Sequence, residues 1–123
     1  DLHSFPTRRS SDLHIDIESL TGRFEVVNIK LDKCGGLTEA LLMAHRAREL
    51  GLKVMVGNMV GSSLAMAPAF VLGQLCDFID LDGPTFLAAD RVPSIVYEDG
   101  TVWCPEEIWG ASAAAAPGQA AKD

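Results

Sequence analysis

The stretch Asn28-Ile29-Lys30-Leu31-Asp32-Lys33-Cys34-Gly35-Gly36 decides how this chain is read. Val26 to Leu31 is β-branched and aliphatic, the composition of a strand. Side chains alternate along a strand, so Asn28, Lys30 and Asp32 are expected on one face and Val27, Ile29 and Leu31 on the other. The strand therefore delivers a lysine to its own C-terminal end and then turns on Gly35 and Gly36, residues suited to a sharp change of direction. Lys33 is the competing lysine, but its register points outward.

Outward from this stretch the pattern repeats. Lys53 to Val56 reads as a second strand and Phe78 to Leu81 as a third, with Asp80 and Asp82 on one face and Ile79 and Leu81 on the other. A helix is expected in each gap. In the first, Thr38 is a good N-cap, Glu39 favours the helix dipole, Ala40, Met43, Ala44, Ala47 and Leu50 form one apolar stripe, and Gly51 ends the helix. His45 falls on the polar side and is expected in solvent. In the second gap, Ser63 is expected to cap a helix running to about Leu75, with Pro68 distorting its start. Strand, helix, strand, helix, strand is the rhythm of β/α units in a parallel sheet, so the fold class is α/β. Asn28, Lys30, Asp80 and Asp82 would then gather at the C-terminal ends of the strands, where barrels and open α/β sheets alike place their ligands.

Composition narrows the function. With 10 Lys and Arg against 17 Asp and Glu, the net charge is −7, which argues against a nucleic-acid or anionic-membrane partner. Val54 to Cys76 has no charged residue and approaches the length of a membrane span, about 20 residues. Gly57, Asn58, Gly61, Ser62, Ser63, Pro68, Gly73 and Gln74 interrupt it, so a strand followed by a buried helix is the better reading. Cys34, Cys76 and Cys104 are far apart and form no metal-ligand spacing, which suits free buried thiols in a reducing, cytoplasmic setting.

The two ends are different in character. Residues 1–13 have no hydrophobic period and match, residue for residue, the translation of a short-read sequencing adapter; authentic sequence is expected to begin near His14. Ile15 to Thr21 then reads as the tail of a helix stopped at Gly22. Beyond the β/α segment, 14–90, Ser94 to Tyr97 and Thr101 to Cys104 flank Glu98-Asp99-Gly100, a hairpin signal within 91–110, and Pro105 to Trp109 reads as a helical turn. Trp103 and Trp109 are expected to pack. Residues 111–123 are rich in Ala, Pro and Gly and are expected to be disordered.

Three motifs in order, Asn28 to Gly36, Val54-Met-Val-Gly-Asn-Met59 and Asp80-Leu-Asp-Gly-Pro84, resemble the C-terminal part of dipeptide epimerases, enolase-superfamily enzymes of the muconate-lactonising subgroup. The resemblance covers about His14 to Gly110. It implies the sixth, seventh and eighth strands of a TIM-type β/α barrel, followed by a segment returning toward a separate cap domain. The implied reaction is a 1,1-proton transfer at the α-carbon of an Ala-Glu-like dipeptide, between two lysines on opposite faces, with magnesium on the substrate carboxylate. The chemistry requires these parts. An α-proton beside a carboxylate is a very weak acid, so the enediolate needs a metal, and a lysine base needs nearby positive charge to favour its neutral form.

The resemblance implies that Lys30 is the sixth-strand acid/base and that Asp80 and Asp82 bind the dipeptide ammonium group. For Asn58 and Met59 it leaves pocket lining and plain packing equally open. The family's Lys-x-Lys motif and its three metal carboxylates have no counterpart here, so no metal ligand is assigned, and the chain alone is expected to be inactive. Asp16 and Glu18 are acidic but fall in a helical segment. Homo-oligomerisation of the longer protein stays open. Two other readings remain: a fragment of a muconate cycloisomerase or o-succinylbenzoate synthase relative, and a non-catalytic partial barrel in which Lys30, Asp80 and Asp82 serve only solvation and turn capping.

Overall fold

The computed structural model describes residues 13–110. Most of the adapter-like segment and the whole Ala-rich tail lie outside the described residues. Helix α1 (Leu13–Leu20) leads into strand β1 (Val26–Lys30). A single helical turn, α2 (Leu31–Cys34), follows at once, and then helix α3 (Leu37–Glu49), strand β2 (Lys53–Gly57), helix α4 (Ser63–Gly73) and strand β3 (Phe78–Asp80). The three strands form one parallel sheet in the order β1-β2-β3.

The core lies on one face of that sheet. Val27, Ile29, Val54 and Val56 point toward α3 and α4 and are at most 2% exposed. They meet Ala40, Met43, Ala44 and Ala47 of α3 and Met66, Ala69 and Leu72 of α4. The small residues on α3 let the helix approach the sheet closely, and each helix closes one β/α crossover between parallel neighbours. His45 is exposed and Leu50 half-buried at the end of the stripe. Arg48 ties the two layers together: it bonds the Leu75 carbonyl and lies 3.7 Å from Asp77, whose Oδ2 accepts from the Val54 N–H at 2.9 Å.

Several local expectations are corrected. Strand β1 ends at Lys30, one residue early, because the chain coils into α2; Asp32 therefore sits on a helical turn and not on the Lys30 face. Gly35 (φ +100°) and Gly36 (φ +111°) then make two successive left-handed steps that only glycine takes easily. Helix α3 starts at Leu37 with Gly36 at its N-cap, so Thr38 lies inside the first turn and caps nothing. Ser62, not Ser63, caps α4, accepting from the Ala65 N–H at 3.3 Å. The helix runs on through Pro68; the missing N–H would have bonded the carbonyl of Leu64, which sits on an exposed residue.

The C-terminal segment folds back over α4. Strands β4 (Val96–Glu98) and β5 (Thr101–Trp103) pair antiparallel, and Asp99 (φ +48°) and Gly100 (φ +75°) make the two-residue turn. A 3-10 turn at Glu106–Trp109 buries Ile108. Trp103 and Trp109, expected to pack, are 61% and 51% exposed. The three cysteines are free thiols. Burial pushes the Cys76 thiol up to about 11 and raises Cys34 and Cys104 as well, which leaves them protonated and unreactive near neutrality. Among the described residues no helix is long and apolar enough to cross a membrane.

Candidate active site

The second face of the sheet holds the residues that packing does not explain. Lys30 stands in register with Gly57, and Gly57 in register with Asp80, so one rung crosses all three strands at their C-terminal ends. Strand spacing puts the Lys30 and Asp80 backbones about 10 Å apart on the same face, with a glycine between them. One step down the sheet, Asn28 is in register with Met55 and Met55 with Phe78. No described helix covers this face: Lys30 and Met55 are half-buried, and Phe78 and Asp80 are exposed.

Gly57 is the gap through which the rung works. A Cβ there would lie 3.0 Å from Asn28 Oδ1 and 3.2 Å from Lys30 Cε, so both side chains lean into the space a side chain would fill. The residue could have been singled out from the sequence by counting register from Lys30, since it is the last residue of the second strand.

Asp82 does not share the strand face with Asp80. Strand β3 ends at Asp80, Leu81 turns inward and is buried, and Asp82 (φ −96°, ψ 1°) opens a 3-10 turn at Gly83–Phe86. Its carbonyl accepts from the Thr85 N–H at 2.9 Å and from Thr85 Oγ1 at 2.6 Å. The Tyr97 hydroxyl donates to the Leu81 carbonyl at 2.6 Å and pins this turn to the hairpin. Burial, reinforced by the charges of Asp82 and Asp90, pushes the Tyr97 phenol up to about 12, so it remains a donor at any ordinary pH. Nothing in the local sequence pointed to Tyr97, because the contact spans the return segment.

Asn58 and Met59 follow β2 and arch over the end of β3. Asn58 is half-buried, with Nδ2 2.8 Å from Met66 Sδ. Met59 is 48% exposed, and its N–H donates to Asp32 Oδ2 at 3.3 Å. The loop is wedged against Gly83, where a Cβ would fall 2.2 Å from Asn58 Nδ2 and 2.6 Å from the Met59 carbonyl oxygen. Asp32, Gly57, Asn58, Met59 and Met66 help line a cavity of about 70 Å³. Ligand pockets run to about 300 Å³ or more, so this one takes a side-chain tip or water and not a whole dipeptide. Among the described residues no group of three or more His, Cys, Asp or Glu could hold a metal ion.

Comparison with known proteins gives this arrangement its context. The chain is 48% identical over 96 residues to an N-acetyl-D-glutamate racemase from Pseudoalteromonas, covering 77% of this chain and 30% of that protein. It is 44% identical over 101 residues to the L-Ala-D/L-Glu epimerase of Escherichia coli K12, covering 80% of this chain and 32% of the relative. A solved enolase family member from Agrobacterium tumefaciens, with homology to dipeptide epimerases and with sodium and L-Ala-L-Glu bound, superposes with a TM-score of 0.67 at 43% identity, over 80% of this chain and 35% of that one. The chain thus spans about a third of the length of the proteins it matches. The model of the enolase C-terminal domain-like family matches residues 19–111, most of the described structure. That match covers more than half of the chain, and the chain belongs to the enolase C-terminal domain-like family.

Proposed function

We propose that this chain is the C-terminal, half-site-bearing part of a dipeptide epimerase that moves the α-proton of an Ala-Glu-like dipeptide. In this reading β1, β2 and β3 are barrel strands six, seven and eight. Lys30 is one of the two proton-transferring groups, Asp80 and Asp82 receive the substrate ammonium, and Asn58 and Met59 close the substrate side. The observation that carries the proposal is the shared rung of Lys30, Gly57 and Asp80 on an uncovered face. Two strand ends whose backbones stand about 10 Å apart, one carrying a carboxylate and the other an amine, suit a dipeptide, whose ammonium and reacting α-carbon sit on different residues.

Magnesium is the ion the reaction chemistry asks for, to offset the charge of the enediolate. The described residues offer it no cluster of ligands. The resemblance to dipeptide epimerases gives Asp80 and Asp82 to the substrate ammonium. What this chain supplies is a proton acceptor and donor at Lys30 Nζ and a negative anchor at the end of β3.

A second reading has its own support. The racemase relative is named for N-acetyl-D-glutamate, an acylated amino acid with no ammonium group. That substrate class keeps the α-proton, the carboxylate and the amide but removes the cation that Asp80 and Asp82 would bind.

One experiment separates these readings. The chain is fused in frame to the rest of the E. coli relative, and Cα–H exchange in D₂O with magnesium is followed by proton NMR for L-Ala-L-Glu and for N-acetylglutamate. The expected result is exchange of Ala-Glu by the fusion, none by the 123-residue chain alone, and a loss of about 10²–10⁴-fold on Lys30→Met. Asp80→Asn with Asp82→Asn should abolish exchange of the dipeptide; if N-acetylglutamate is the better substrate and is untouched by that pair, the acyl-amino-acid reading replaces the first. Full activity of the fusion with Lys30→Met overturns both.

A further inference from the structure

Asn28 is the one buried polar side chain of the open face that neither packing nor the proposed chemistry uses. It is 9% exposed, and its Oδ1 is fully enclosed with no hydrogen-bond partner. Leaving such an acceptor unpaired is costly, and a leucine of similar size would avoid the cost. An orphan acceptor at a site that could be apolar calls for a donor that visits it.

The neighbours narrow that donor. Met55, in register with Asn28, offers no hydrogen to donate, and Gly57 has no side chain. Lys30 lies two residues along the same strand, so its side chain leaves from the same face. Lys30 Cε and Asn28 Oδ1 lie within 3.2 Å and 3.0 Å of the same point above Gly57. The ammonium at the end of that stem is a flexible triple donor. Because Oδ1 is enclosed, a ligand arriving from solvent does not reach it, whereas Lys30 approaches from within the face.

We propose that Asn28 is the positioning residue of Lys30: its Oδ1, unpaired in the structure, accepts a hydrogen bond from the Lys30 ammonium when that side chain swings back through the space left by Gly57, and so limits where the amine can rest. The catalytic meaning of this device rests on the assignment of Lys30 as a proton-transferring group, but the contact itself does not, and its test reads the two side chains directly. An amine held by one neutral acceptor loses only one hydrogen bond on swinging out. A carboxylate in the same place would pair with it and hold it back more strongly.

The full chain is labelled with ¹³C at lysine Cε, and the Lys30 signal is assigned by its loss in Lys30→Met. In the wild type the two Hε protons of Lys30 are expected at separate shifts, as for a fixed side chain, and those of exposed Lys53 at one. Asn28→Leu should collapse the Lys30 pair to a single averaged signal while melting no lower than wild type. Asn28→Asp should restore the separation. From the other side, Lys30→Met should shift the Asn28 carboxamide resonances, and Lys33→Met should not. If Asn28→Leu does not fold, these last two variants still decide. A Lys30 pair unchanged in Asn28→Leu, or an Asn28 carboxamide unmoved by Lys30→Met, overturns the inference and leaves the proposed function standing. Loss of activity in the fusion experiment with these couplings intact does the reverse.

Discussion

On one side of the sheet Val27, Ile29, Val54 and Val56 are sealed against two helices; on the other, one residue further along the same strands, Lys30 and Met55 are half-buried and Asp80 is exposed. The strands, the hydrogen bonds and the register are common to both faces. What differs is the side-chain chemistry set by a period of two. Removing apolar surface from water is worth about 25 cal/mol per Å², and the helical face gathers that term. The open face forgoes it and keeps a half-buried lysine and an exposed aspartate beside an enclosed amide oxygen. The apolar core and the proposed site therefore lie on opposite sides of one sheet.

The most direct way to break this comparison is to substitute neighbours on opposite faces. Ile29 is 1% exposed and Lys30, the next residue, is half-buried. Ile29→Ala should cost about 2–5 kcal/mol in urea unfolding, because the cavity is walled by β2 and α3 and cannot fully collapse. Lys30→Met should change stability by no more than about 0.5 kcal/mol while removing the amine proposed to transfer the proton. Comparable losses for the two would mean that the open face is structural.

The open face stops being permissive where the loop after β2 meets the turn after β3. Gly83 is buried, and its missing Cβ leaves room for Asn58 and for the Met59 carbonyl. The amide of Asn58 can rotate away; a backbone carbonyl retreats only with its loop. Gly83→Ala should therefore cost about 1–3 kcal/mol and raise the amide exchange of Met59 as the loop lifts. Gly61→Ala is the control. A Cβ there would make ordinary contact with Ala65 Cβ at 3.6 Å, so stability should stay within about 0.5 kcal/mol of wild type. A neutral Gly83→Ala would mean that the loop is loosely held and that Asn58 and Met59 are not positioned.

Much of this was legible in the sequence, and the places where it was not share a cause. The strands, both crossover helices, the α3 stripe and the inward register of Lys30 follow from periodicity, because packing on one face imposes it. The strand ends do not follow. Reading Asp32 and Asp82 as strand residues extended an alternation past the point where it operates, since α2 and the 3-10 turn begin at once after Lys30 and close after Asp80. Caps misled for a related reason: Thr38 and Ser63 have the right chemistry but lie two positions and one position past the true N-caps, Gly36 and Ser62. Tyr97 on the Leu81 carbonyl and Asp90 on Ser63 were out of reach altogether, because each joins segments 16 and 27 residues apart. The enolase-superfamily assignment survived these slips because it rested on three ordered motifs and not on any one boundary.

The Asp90 contact yields the smallest of the three effects and the one with a definite pH signature. Ser63 is fully buried at the start of α4, and its N–H is one of the donors a helix leaves unpaired at that end. Asp90 Oδ1 accepts from that N–H at 3.0 Å, Oδ2 accepts from the Ser63 hydroxyl, and the same hydroxyl accepts from the Ile95 N–H at 2.9 Å. The return segment is thus latched to the helix whose C-terminal neighbour leads into β3. The Ser63 hydroxyl first, and then its N–H, hold the Asp90 carboxyl below the usual aspartate range. A pKa lower in the folded than in the unfolded chain means that the ionised form favours folding. The contribution is complete above the unfolded value of about 3.9 and is lost as pH falls through the lower folded value. Asp90→Asn keeps an acceptor and loses the charge at the helix terminus, for about 0.5–1 kcal/mol near neutrality. The gap between wild type and Asp90→Asn should be flat from neutral pH down to about 5 and should close below about pH 4. A gap that widens on acidification would mean that the carboxyl is folded in its protonated form, and the latch would then be a neutral hydrogen bond unrelated to the helix dipole.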